Sequence, residues 1–334
     1  MKKFYSPNEL CSSPVQTSPE TNTRRHFKLK DFSFLFLLLC ISTLTNAQGT
    51  WTALTNAAPN ANQGVMHLLS DGTVLCKTGA GGASSGNLYN KLTPNSSGSY
   101  ANGTWTSIAP MNKTRRFYSS QLLFDGRLYV CGGEYGSGAQ DGEIYNPATN
   151  TWSMIPSPIL DPVNDTLEDP NSEILEDGRI LQQIIEDGNS SRTCRIYNPA
   201  TNTWSNGGTA LYAMGEATCH KLPDGSLITV RTNNTNLQRY FPATNSWVAD
   251  ATVPVNLYSN VGSETGGAAM LPDGRIFFVG GSSETAIYTP SGTSAIGSWA
   301  AGPVIPGAYG QSDGSVSIGR DGIVLFTASP EPFA

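Results

Sequence analysis

Short apolar segments alternate with polar turns along most of the chain. Many of them run into an Asp-Gly pair and continue as a second apolar segment, as in SSQLLFDGRLYVCGG at 119–133 and AAMLPDGRIFFVGG at 268–281. Apolar segments this short are typical of strands, and an Asp-Gly pair between two of them indicates a β-hairpin. The pattern therefore predicts an all-β protein.

The hairpin signal recurs at a nearly constant interval. Asp-Gly pairs stand at 71–72, 125–126, 177–178, 224–225, 273–274 and 321–322, spaced 54, 52, 47, 49 and 48 residues apart. Tryptophan recurs in step, at Trp51, Trp105, Trp152, Trp204, Trp247 and Trp299. Three repeats place a tyrosine seven residues before the tryptophan, in YNPATNTW at 145–152 and 197–204 and YFPATNSW at 240–247. Self-similarity at a fixed period of about 50 residues indicates a repeat architecture.

Each unit is interpreted as four strands: the hairpin, a third strand ending in tyrosine, a Pro-Ala-Thr-Asn turn and a fourth strand starting at tryptophan. One such sheet cannot bury both faces alone, so the units must stack, and radial stacking gives a β-propeller. The repeat length, the Tyr/Trp pairs and the glycine pairs at 132–133 and 280–281 resemble the kelch-repeat family over about residues 49–334. The resemblance implies a kelch-type β-propeller.

The number of blades follows from the repeat boundaries. The repeats cover about 64–110, 115–157, 167–210, 214–254 and 263–304, with a partial one at 313–334. Trp51 has no hairpin before it, so residues 49–56 are expected to form a closing strand that joins the last blade. We expect six blades of four antiparallel strands with an incomplete closing blade. The alternative is a truncated seven-bladed propeller.

A separate segment precedes the repeats. A basic run at 24–30 is followed by the apolar stretch FSFLFLLLCISTL at 32–44 and by Thr-Asn-Ala before Gln48. This order is typical of a secretory signal peptide, here residues 1–47, and the apolar stretch is shorter than the about 20 residues of a membrane span. We expect a secreted protein, extracellular or at the cell surface, with no membrane span after cleavage. The alternative is that the segment remains as an anchor.

Charge and cysteine content narrow the classes of partner. Removing residues 1–47 takes away six of the 20 Lys and Arg and three of the 26 Asp and Glu, which leaves a net charge of −9. Such a surface repels phosphate backbones, so nucleic acid is not an expected partner. None of the remaining cysteines, Cys76, Cys131, Cys194 and Cys219, belongs to a Cys-x-x-Cys pair, so no zinc or redox motif is indicated. Disulfides and buried thiols both remain open for them.

The loops that lead into the first strands are expected to surround the mouth of the central channel, where a ligand would bind. Aligned on Asp-Gly, four of the six repeats place a carboxylate in this loop and one places an arginine. The candidate ligand-binding residues are Arg116, Tyr118, Glu168, Asp169, Glu216, Glu264 and Asp313. Carboxylates beside aromatic faces suit sugar hydroxyls, and several carboxylates also suit Ca²⁺. The alternative is that they are solvated loop charges. His67 and His220 share a position in repeats three apart and are interpreted as structural.

One segment resembles a second family. Residues 116–120 (RFYSS), leading to DGRLYVCGGE, resemble the copper-radical oxidases of the galactose oxidase and glyoxal oxidase type, which also have a kelch propeller. The resemblance implies that Tyr118 would bind copper and be crosslinked to a cysteine of the preceding repeat. No cysteine stands near 63–65, Cys76 lies past the hairpin turn, and no histidine follows His220, although that family needs two histidine ligands. We therefore expect no copper, with the motif inherited as scaffold, and no other cofactor, although Ca²⁺ remains the alternative.

These observations predict a non-catalytic binding module. Its partner at the channel mouth would be a glycan or an extracellular protein, and the module would act as a monomer. The sequence has no Gly-x-Ser-x-Gly elbow and no His-Glu-x-x-His motif. The alternative is a carbohydrate-active hydrolase or lyase on the same scaffold, in which paired carboxylates such as Glu168 and Glu173 would act. A galactose-oxidase-like oxidase ranks last.

Overall fold

The computed structural model describes residues 50–79, 86–159, 165–186, 192–231, 234–259, 264–312 and 314–330. The chain divides into two compact units, Met1–Thr52 and Ala53–Ala334. The described part of the first unit, residues 50–52, forms no helix or strand, and the predicted signal peptide lies outside the described residues. Across the described ranges, no helix is long and apolar enough to span a membrane.

The second unit contains five four-stranded antiparallel sheets, blades 1 to 5, in which strands that follow one another in the repeat are neighbours. From first to fourth strand, blade 1 consists of Gln63–Leu68, Val74–Thr78, Tyr89–Thr93 and Thr104–Ser107, and blade 2 of Ser119–Leu122, Leu128–Cys131, Gly142–Asn146 and Thr151–Ile155. Blade 3 consists of Ser172–Ile174, Ile180–Gln183, Thr193–Asn198 and Thr203–Thr209, and blade 4 of Cys219–Lys221, Leu227–Val230, Leu237–Phe241 and Ser246–Asp250. Blade 5 consists of Ala268–Met270, Ile276–Val279, Thr285–Thr289 and Ser298–Ala301. Within the described residues, blade 6 has the strands Val316–Ile318 and Val324–Phe326.

Shorter elements connect the blades. The two-residue strand pairs are Arg115–Arg116 with Tyr135–Gly136, Asp165–Thr166 with Ile185–Glu186, and Tyr309–Gly310 with Ser329–Pro330. A 3₁₀ turn covers Pro306–Ala308, and a single bridge joins Tyr258 to Thr265. The predicted all-β propeller is confirmed, with five complete blades among the residues that the structure describes.

The Asp-Gly hairpins explain the period of the sequence. In blade 2, Asp125 Oδ1 accepts a hydrogen bond from Arg127 N at 3.1 Å, and Gly126 has a φ of +84°. Gly126 N donates to Leu123 O, and Leu123 N donates to Arg127 O. These bonds define a type I turn followed by a left-handed glycine, rather than the two-residue loop that Asp-Gly most often indicates. The same side-chain bond to the residue after glycine recurs in the other five hairpins.

The hairpin tips overlap from each blade to the next. A Cβ added at Gly178 of blade 3 would lie 3.3 Å from the ring of Phe124, the residue before the Asp-Gly pair of blade 2. In the other hairpins too, the residue before the Asp-Gly pair of one blade lies against the Asp-Gly glycine of the next blade. These contacts are Ser70 with Gly126, Glu176 with Gly225, Pro223 with Gly274 and Pro272 with Gly322. The glycine therefore makes room for the neighbouring tip as well as for the turn, and blades 1 to 6 follow one another in order.

The Tyr/Trp pairs hold each blade together and join it to the one before. Tyr145 and Trp152 of blade 2 are directly opposite on adjacent strands, with ring centroids 5.1 Å apart. The Tyr145 hydroxyl donates to Oδ1 of Asn150, which ends the Pro-Ala-Thr-Asn turn with a φ of +52°. Trp152 Nε1 donates to Ala109 O, in the segment that leaves blade 1. The repeated residues thus stabilise both the sheet and the blade interface.

The first strands lie next to one another, and the core fills the spaces between blades. His67 Nε2 of blade 1 lies 2.9 Å from Ser120 Oγ of blade 2. Gln121 Nε2 of blade 2 donates to Ser172 O of blade 3 at 2.7 Å, and Lys221 Nζ of blade 4 donates to Ile174 O of blade 3 at 3.0 Å. Buried apolar clusters occupy each interface from blades 1 and 2 to blades 5 and 6. All four cysteines after residue 47 are free thiols, which settles the open choice between disulfides and thiols.

The expected closing strand at 49–56 is not formed over the residues that the structure describes. Residues 50–56 have no strand conformation, and Thr55 N donates to Ala101 O, beside the outer edge of blade 1. A strand needs a partner for its backbone groups, and this segment finds its partner in a loop. Blades 1 and 6 each leave apolar side chains uncovered: Met66 is 67% exposed and Leu325 is 53% exposed.

Candidate functional site

The loop before the first strand of blade 2 is anchored by a buried arginine. The Arg115 side chain has no exposed surface, and its Nη1 donates to the carbonyls of Gly132, Gly138 and Asp141. Its Nη2 donates to Asp141 Oδ1 at 2.5 Å and to Glu143 Oε1 at 3.1 Å. Two carboxylates and three carbonyls therefore compensate the buried charge, which would otherwise be strongly destabilising.

The Glu143 carboxylate extends this anchor to the start of the loop. Its Oε2 accepts from Asn112 N at 2.7 Å, and its Oε1 accepts from Lys113 N at 3.0 Å. Glu143 is itself fully buried in the third strand of blade 2. Because the charged groups bind backbone atoms on both sides, residues 112–116 are held rigidly against residues 132–143.

The anchored loop presents an exposed group of aromatic and cationic side chains. The Arg116 guanidinium carbon lies 4.5 Å from the ring centroid of Phe117 and 5.9 Å from that of Tyr135. The two rings meet edge to face at 6.1 Å, and Phe117 and Tyr135 are 37% and 48% exposed. Arg116 pairs with Tyr135 in the short strand ladder, which fixes their spacing. We call Arg116, Phe117 and Tyr135 the rim cluster.

Phe117 is held in a conformation that bulky residues rarely adopt. Its φ is +53°, and the corresponding residues of blades 3 and 4, Asp169 and Glu216, have φ values of +44° and +55°. Each of these residues stands eight positions before the aspartate of its Asp-Gly pair. Left-handed non-glycine residues cost of order 1–3 kcal/mol each and concentrate at functional sites. The strain therefore marks one loop position in three consecutive blades.

Tyr118, a predicted ligand-binding residue, is turned away from the rim cluster. Its hydroxyl lies 2.5 Å from the hydroxyl of Tyr89, and its ring packs against the apolar cluster between blades 1 and 2. Burial raises the pKa of Tyr118 well above that of a free tyrosine. The left-handed residue before Tyr118 reverses the backbone, so Arg116 and Phe117 face outward while Tyr118 packs inward.

The predicted carboxylates that the structure describes lie in the loops of blades 3, 4 and 5. Asp169 interacts with Tyr135: the pKa of Tyr135 is raised chiefly by Glu134 and also by Asp169, while Arg116 opposes this shift. Glu168 is exposed beside Asp169. Glu134, which was not among the predicted residues, therefore interacts directly with Tyr135 of the rim cluster, and Asp169 acts on Tyr135 only through its charge.

Glu216 and Glu264 belong to the loops of blades 4 and 5. The hydroxyl of Thr265, the residue after Glu264, donates to Glu216 O at 3.4 Å, so these loops are neighbours. Glu264 O accepts from Ser259 N at 2.7 Å. The remaining predicted residue, Asp313, lies outside the described residues.

The two histidines belong to the inner strands. Burial lowers the pKa of His67 to about 4, and its Nε2 contacts Ser120 Oγ. Burial also lowers the pKa of His220, whose Nδ1 lies 2.9 Å from Lys221 O. These contacts agree with the interpretation of both histidines as structural.

The described residues do not fit the copper ligand set that the oxidase resemblance implies. The Tyr118 hydroxyl is bonded to another tyrosine, and Cys76 lies on the second strand of blade 1, where burial raises the pKa of its thiol to about 11. Within the described ranges, no group of three His, Cys, Asp or Glu side chains could hold a metal ion.

One acidic residue of the inner wall has a perturbed protonation equilibrium. Glu173 lies in the first strand of blade 3, and burial raises the pKa of its carboxyl to about 7, against the opposing charge of Lys221. Its Oε1 accepts a hydrogen bond from Ile174 N at 3.1 Å. Glu173 lines a small cavity between blades 3 and 4 together with Cys219 and Gln183.

The sequence missed Phe117, Glu134 and Tyr135. Tyr135 follows the glycine pair at 132–133, outside the loops before the first strands where the ligand-binding residues were expected. The available signal was the adjacency of a charged and an aromatic residue in both segments, RRF at 115–117 and EY at 134–135. Pairing of the two segments in one ladder is a tertiary relation that the repeat pattern does not contain.

Comparisons with known proteins bear on this same segment. A family model described as the kelch motif matches residues 115–159, which cover blade 2 and its anchored loop. A galactose oxidase of Gibberella zeae is 31% identical over 62 residues, or 18% of this chain and 9% of that protein. An F-box/kelch-repeat protein of Arabidopsis thaliana is 29% identical over 108 residues, or 32% of this chain and 25% of that protein. The chain thus spans a quarter or less of these curated relatives.

Two solved structures are similar in part. Virginiamycin B lyase from Staphylococcus aureus has a TM-score of 0.46 and 14% identity, and the match covers 63% of this chain and 62% of that chain. A fungal alcohol oxidase of the AA5 family, in complex with copper, has a TM-score of 0.39 and 18% identity, with 66% and 58% covered.

Proposed function

This chain is a kelch-repeat β-propeller protein, and we propose that it is an exported, non-catalytic module that binds a glycan at the rim of blade 2. Kelch propellers mediate interactions, which supports a binding role for the scaffold. The predicted signal peptide supports an extracellular or cell-surface location, and the module would act as a monomer. An extracellular protein is the alternative partner.

The rim cluster is the observation that carries this proposal. Phe117 and Tyr135 offer two exposed aromatic rings at an angle, and the Arg116 guanidinium lies 4.5 Å from the centroid of Phe117 and 5.9 Å from that of Tyr135. Aromatic faces pack on the apolar faces of sugar rings, while a guanidinium and carboxylates such as Asp169 exchange hydrogen bonds with hydroxyls. This combination supports a glycan more directly than a wholly apolar or wholly charged surface would.

The buried anchor beneath the cluster also supports a binding role. Arg115 and Glu143 fix the loop before any ligand arrives, so little conformational entropy would be lost on binding. The strained φ of Phe117 is kept at the point where the loop presents its ring.

We also propose six blades for the ring. The overlap of hairpin tips continues from Pro272 to Gly322, which supports blade 6 as the next member of the series. A seven-bladed ring is the alternative, and the exposed faces of Met66 and Leu325 favour it, because a further blade would cover them. Six and seven blades predict different ring diameters, which a crystal structure of the full chain would distinguish.

A carbohydrate-active enzyme is the second candidate. The observation that favours it is Glu173, a carboxyl on the inner wall whose pKa of about 7 suits a general acid. An enzyme would release reducing ends from an oligosaccharide, and Glu173→Gln would reduce that rate by orders of magnitude. A binding module would show no turnover in either chain.

The first test is a glycan array probed with the full chain, followed by thermal unfolding with each bound oligosaccharide. A ligand of the folded state at a hundredfold excess over its Kd stabilises by about 2.7 kcal/mol. We expect an oligosaccharide that raises the Tm of the chain and does not raise that of Tyr135→Ala. An array without any bound glycan, together with capture of an extracellular protein lost in Arg116→Ala, would contradict the glycan and support the alternative partner.

A further inference from the structure

A groove opens between the hairpins of blades 3 and 4, at the opposite end of the first strands from the rim cluster. Its volume is about 280 Å³, below the about 300–1,000 Å³ typical of small-molecule sites. Glu176, Asp177 and Arg179 line it from blade 3, and Asp224 and Phe241 line it from blade 4. The size suits one long side chain.

Phe241 departs from the repeat at this position. Blades 2 and 3 have Asn146 and Asn198 there, and each asparagine Oδ1 accepts a hydrogen bond from the backbone N–H two residues later. Blade 4 replaces this turn-stabilising amide with an aromatic ring that is half-buried in the groove. The buried Arg239 guanidinium carbon lies 4.8 Å from the Phe241 ring centroid. The substitution therefore gives up a local bond and supplies an aromatic wall.

The charges around this wall are predominantly negative. Arg179 pairs with Asp177 at 2.7 Å, and Arg239 pairs with Asp224 at 2.8 Å and with Asp250 at 3.3 Å. Two guanidinium groups are thus paired with three carboxylates, of which Asp177 and Asp224 line the groove while Asp250 is buried beneath it.

Glu176 adds a fourth carboxylate. Its carboxyl carbon lies over Gly225, 2.7 Å from where a Cβ would stand, because glycine leaves that space open. Among the residues that the structure describes, no hydrogen bond or ion pair joins Glu176 to another side chain. The groove therefore combines an aromatic face, an apolar turn and one uncompensated acidic group.

We propose that this groove binds a single basic side chain, lysine or arginine, of a partner protein. The stem of the side chain packs on Phe241 and Pro242, and its charged end meets Glu176 at the opening. A cation within about 6 Å of an aromatic centroid is attracted by the ring, and the surrounding carboxylates outweigh the charge of Arg239. The net negative charge of the chain favours approach of a basic partner. This site is separate from the proposed glycan site and takes a different class of ligand.

The test uses the full chain labelled with 4-fluorophenylalanine and followed by ¹⁹F NMR. The Phe241 resonance is assigned as the one missing from Phe241→Leu. We expect Nα-acetyl-arginine methylamide or Nα-acetyl-lysine methylamide to shift this resonance saturably, while the neutral Nα-acetyl-glutamine methylamide does not. Glu176→Gln is expected to weaken binding at least threefold, and the Phe124 resonance of the equivalent blade 2 tip is the matched control.

Three outcomes would overturn the proposal. They are an unshifted Phe241 resonance at saturating probe concentrations, an equal shift with the glutamine analogue, and equal affinity in Glu176→Gln. Because Phe241 packs on Arg239, Phe241→Leu could unfold, and the exposed Glu176→Gln keeps the test valid in that case. Tyr135→Ala, which removes the proposed glycan site, is expected to leave this titration unchanged, so the two proposals fail separately.

Discussion

The Tyr118 hydroxyl lies 2.5 Å from the Tyr89 hydroxyl, across the interface between blades 1 and 2. The tyrosine expected at the ligand rim is therefore part of the blade interface. Its neighbours Arg116 and Phe117 take the exposed position, because the backbone turns through a left-handed conformation at Phe117. The site that we propose depends on this reversal.

The first prediction concerns the backbone strain at Phe117, which follows from its positive φ. Phe117→Gly removes the left-handed strain and the ring together, whereas Phe117→Ala removes the ring and keeps the strain. We expect Phe117→Gly to be more stable than Phe117→Ala by about 1 kcal/mol, since glycine adopts positive φ without a steric cost. Urea denaturation of both chains measures the difference. Equal stability of the two variants would show that Phe117 carries no backbone strain.

The anchor beneath the loop gives the second prediction. Arg115→Met leaves the buried Glu143 without its partner, and we expect a loss of about 3–5 kcal/mol in the free energy of unfolding. The matched control is Arg127→Met, which breaks the exposed pair with Asp125 and should cost about 0–1 kcal/mol. Urea denaturation compares them. Similar losses in both chains would mean that Arg115 does not anchor the loop.

The repeat residues could be predicted because their role is local. Asp125, Gly126, Tyr145 and Trp152 fix turns and cross-strand pairs within about 30 residues, so their pattern is sufficient to identify the blade. The rim cluster could not be predicted in the same way. Phe117 and Tyr135 meet through the short ladder of Arg115–Arg116 with Tyr135–Gly136 and through the buried Arg115 network, and neither has a periodic signal in the sequence.

The expected closing strand failed for a related reason. GTWTAL at 49–54 carries the tryptophan of the repeat, but the hairpin and third strand that would give it partners are missing before it. Strand propensity without an adjacent edge does not fix a strand, and residues 50–56 are irregular in the structure.

Glu173 gives the third prediction, on pH dependence. Its carboxyl binds a proton more tightly in the folded chain, where burial raises its pKa from 4.5 to about 7. This group therefore favours folding below about pH 4.5, and its contribution is lost as the pH rises through about 7. As the pH rises from 5 to 8, the parent chain loses this contribution and Glu173→Gln does not. We therefore expect the free energy of unfolding of Glu173→Gln to rise by about 1–3 kcal/mol relative to the parent over this range. Urea denaturation at several pH values checks this, and a difference independent of pH would contradict it.

His67 gives the fourth prediction, with the opposite sign. Burial lowers its pKa from 6.5 to about 4, so the unfolded chain binds the proton more tightly. Its contribution to stability is present above about pH 6.5 and is lost as the pH falls through about 4. We expect His67→Gln to lose less stability than the parent chain between pH 6.5 and pH 4. Equal acid sensitivity of the two chains would show that His67 is not buried in its neutral form.

The central claim is that the rim cluster of blade 2 binds a glycan, and isothermal titration of the best oligosaccharide from the array tests it most directly. The titration is made with the full chain, with Tyr135→Ala, and with Phe124→Ala, which removes an exposed ring at the opposite end of the first strand. We predict that Tyr135→Ala weakens binding at least tenfold, equivalent to about 1.4 kcal/mol, and that Phe124→Ala binds like the parent. Equal affinities in all three chains would contradict the account.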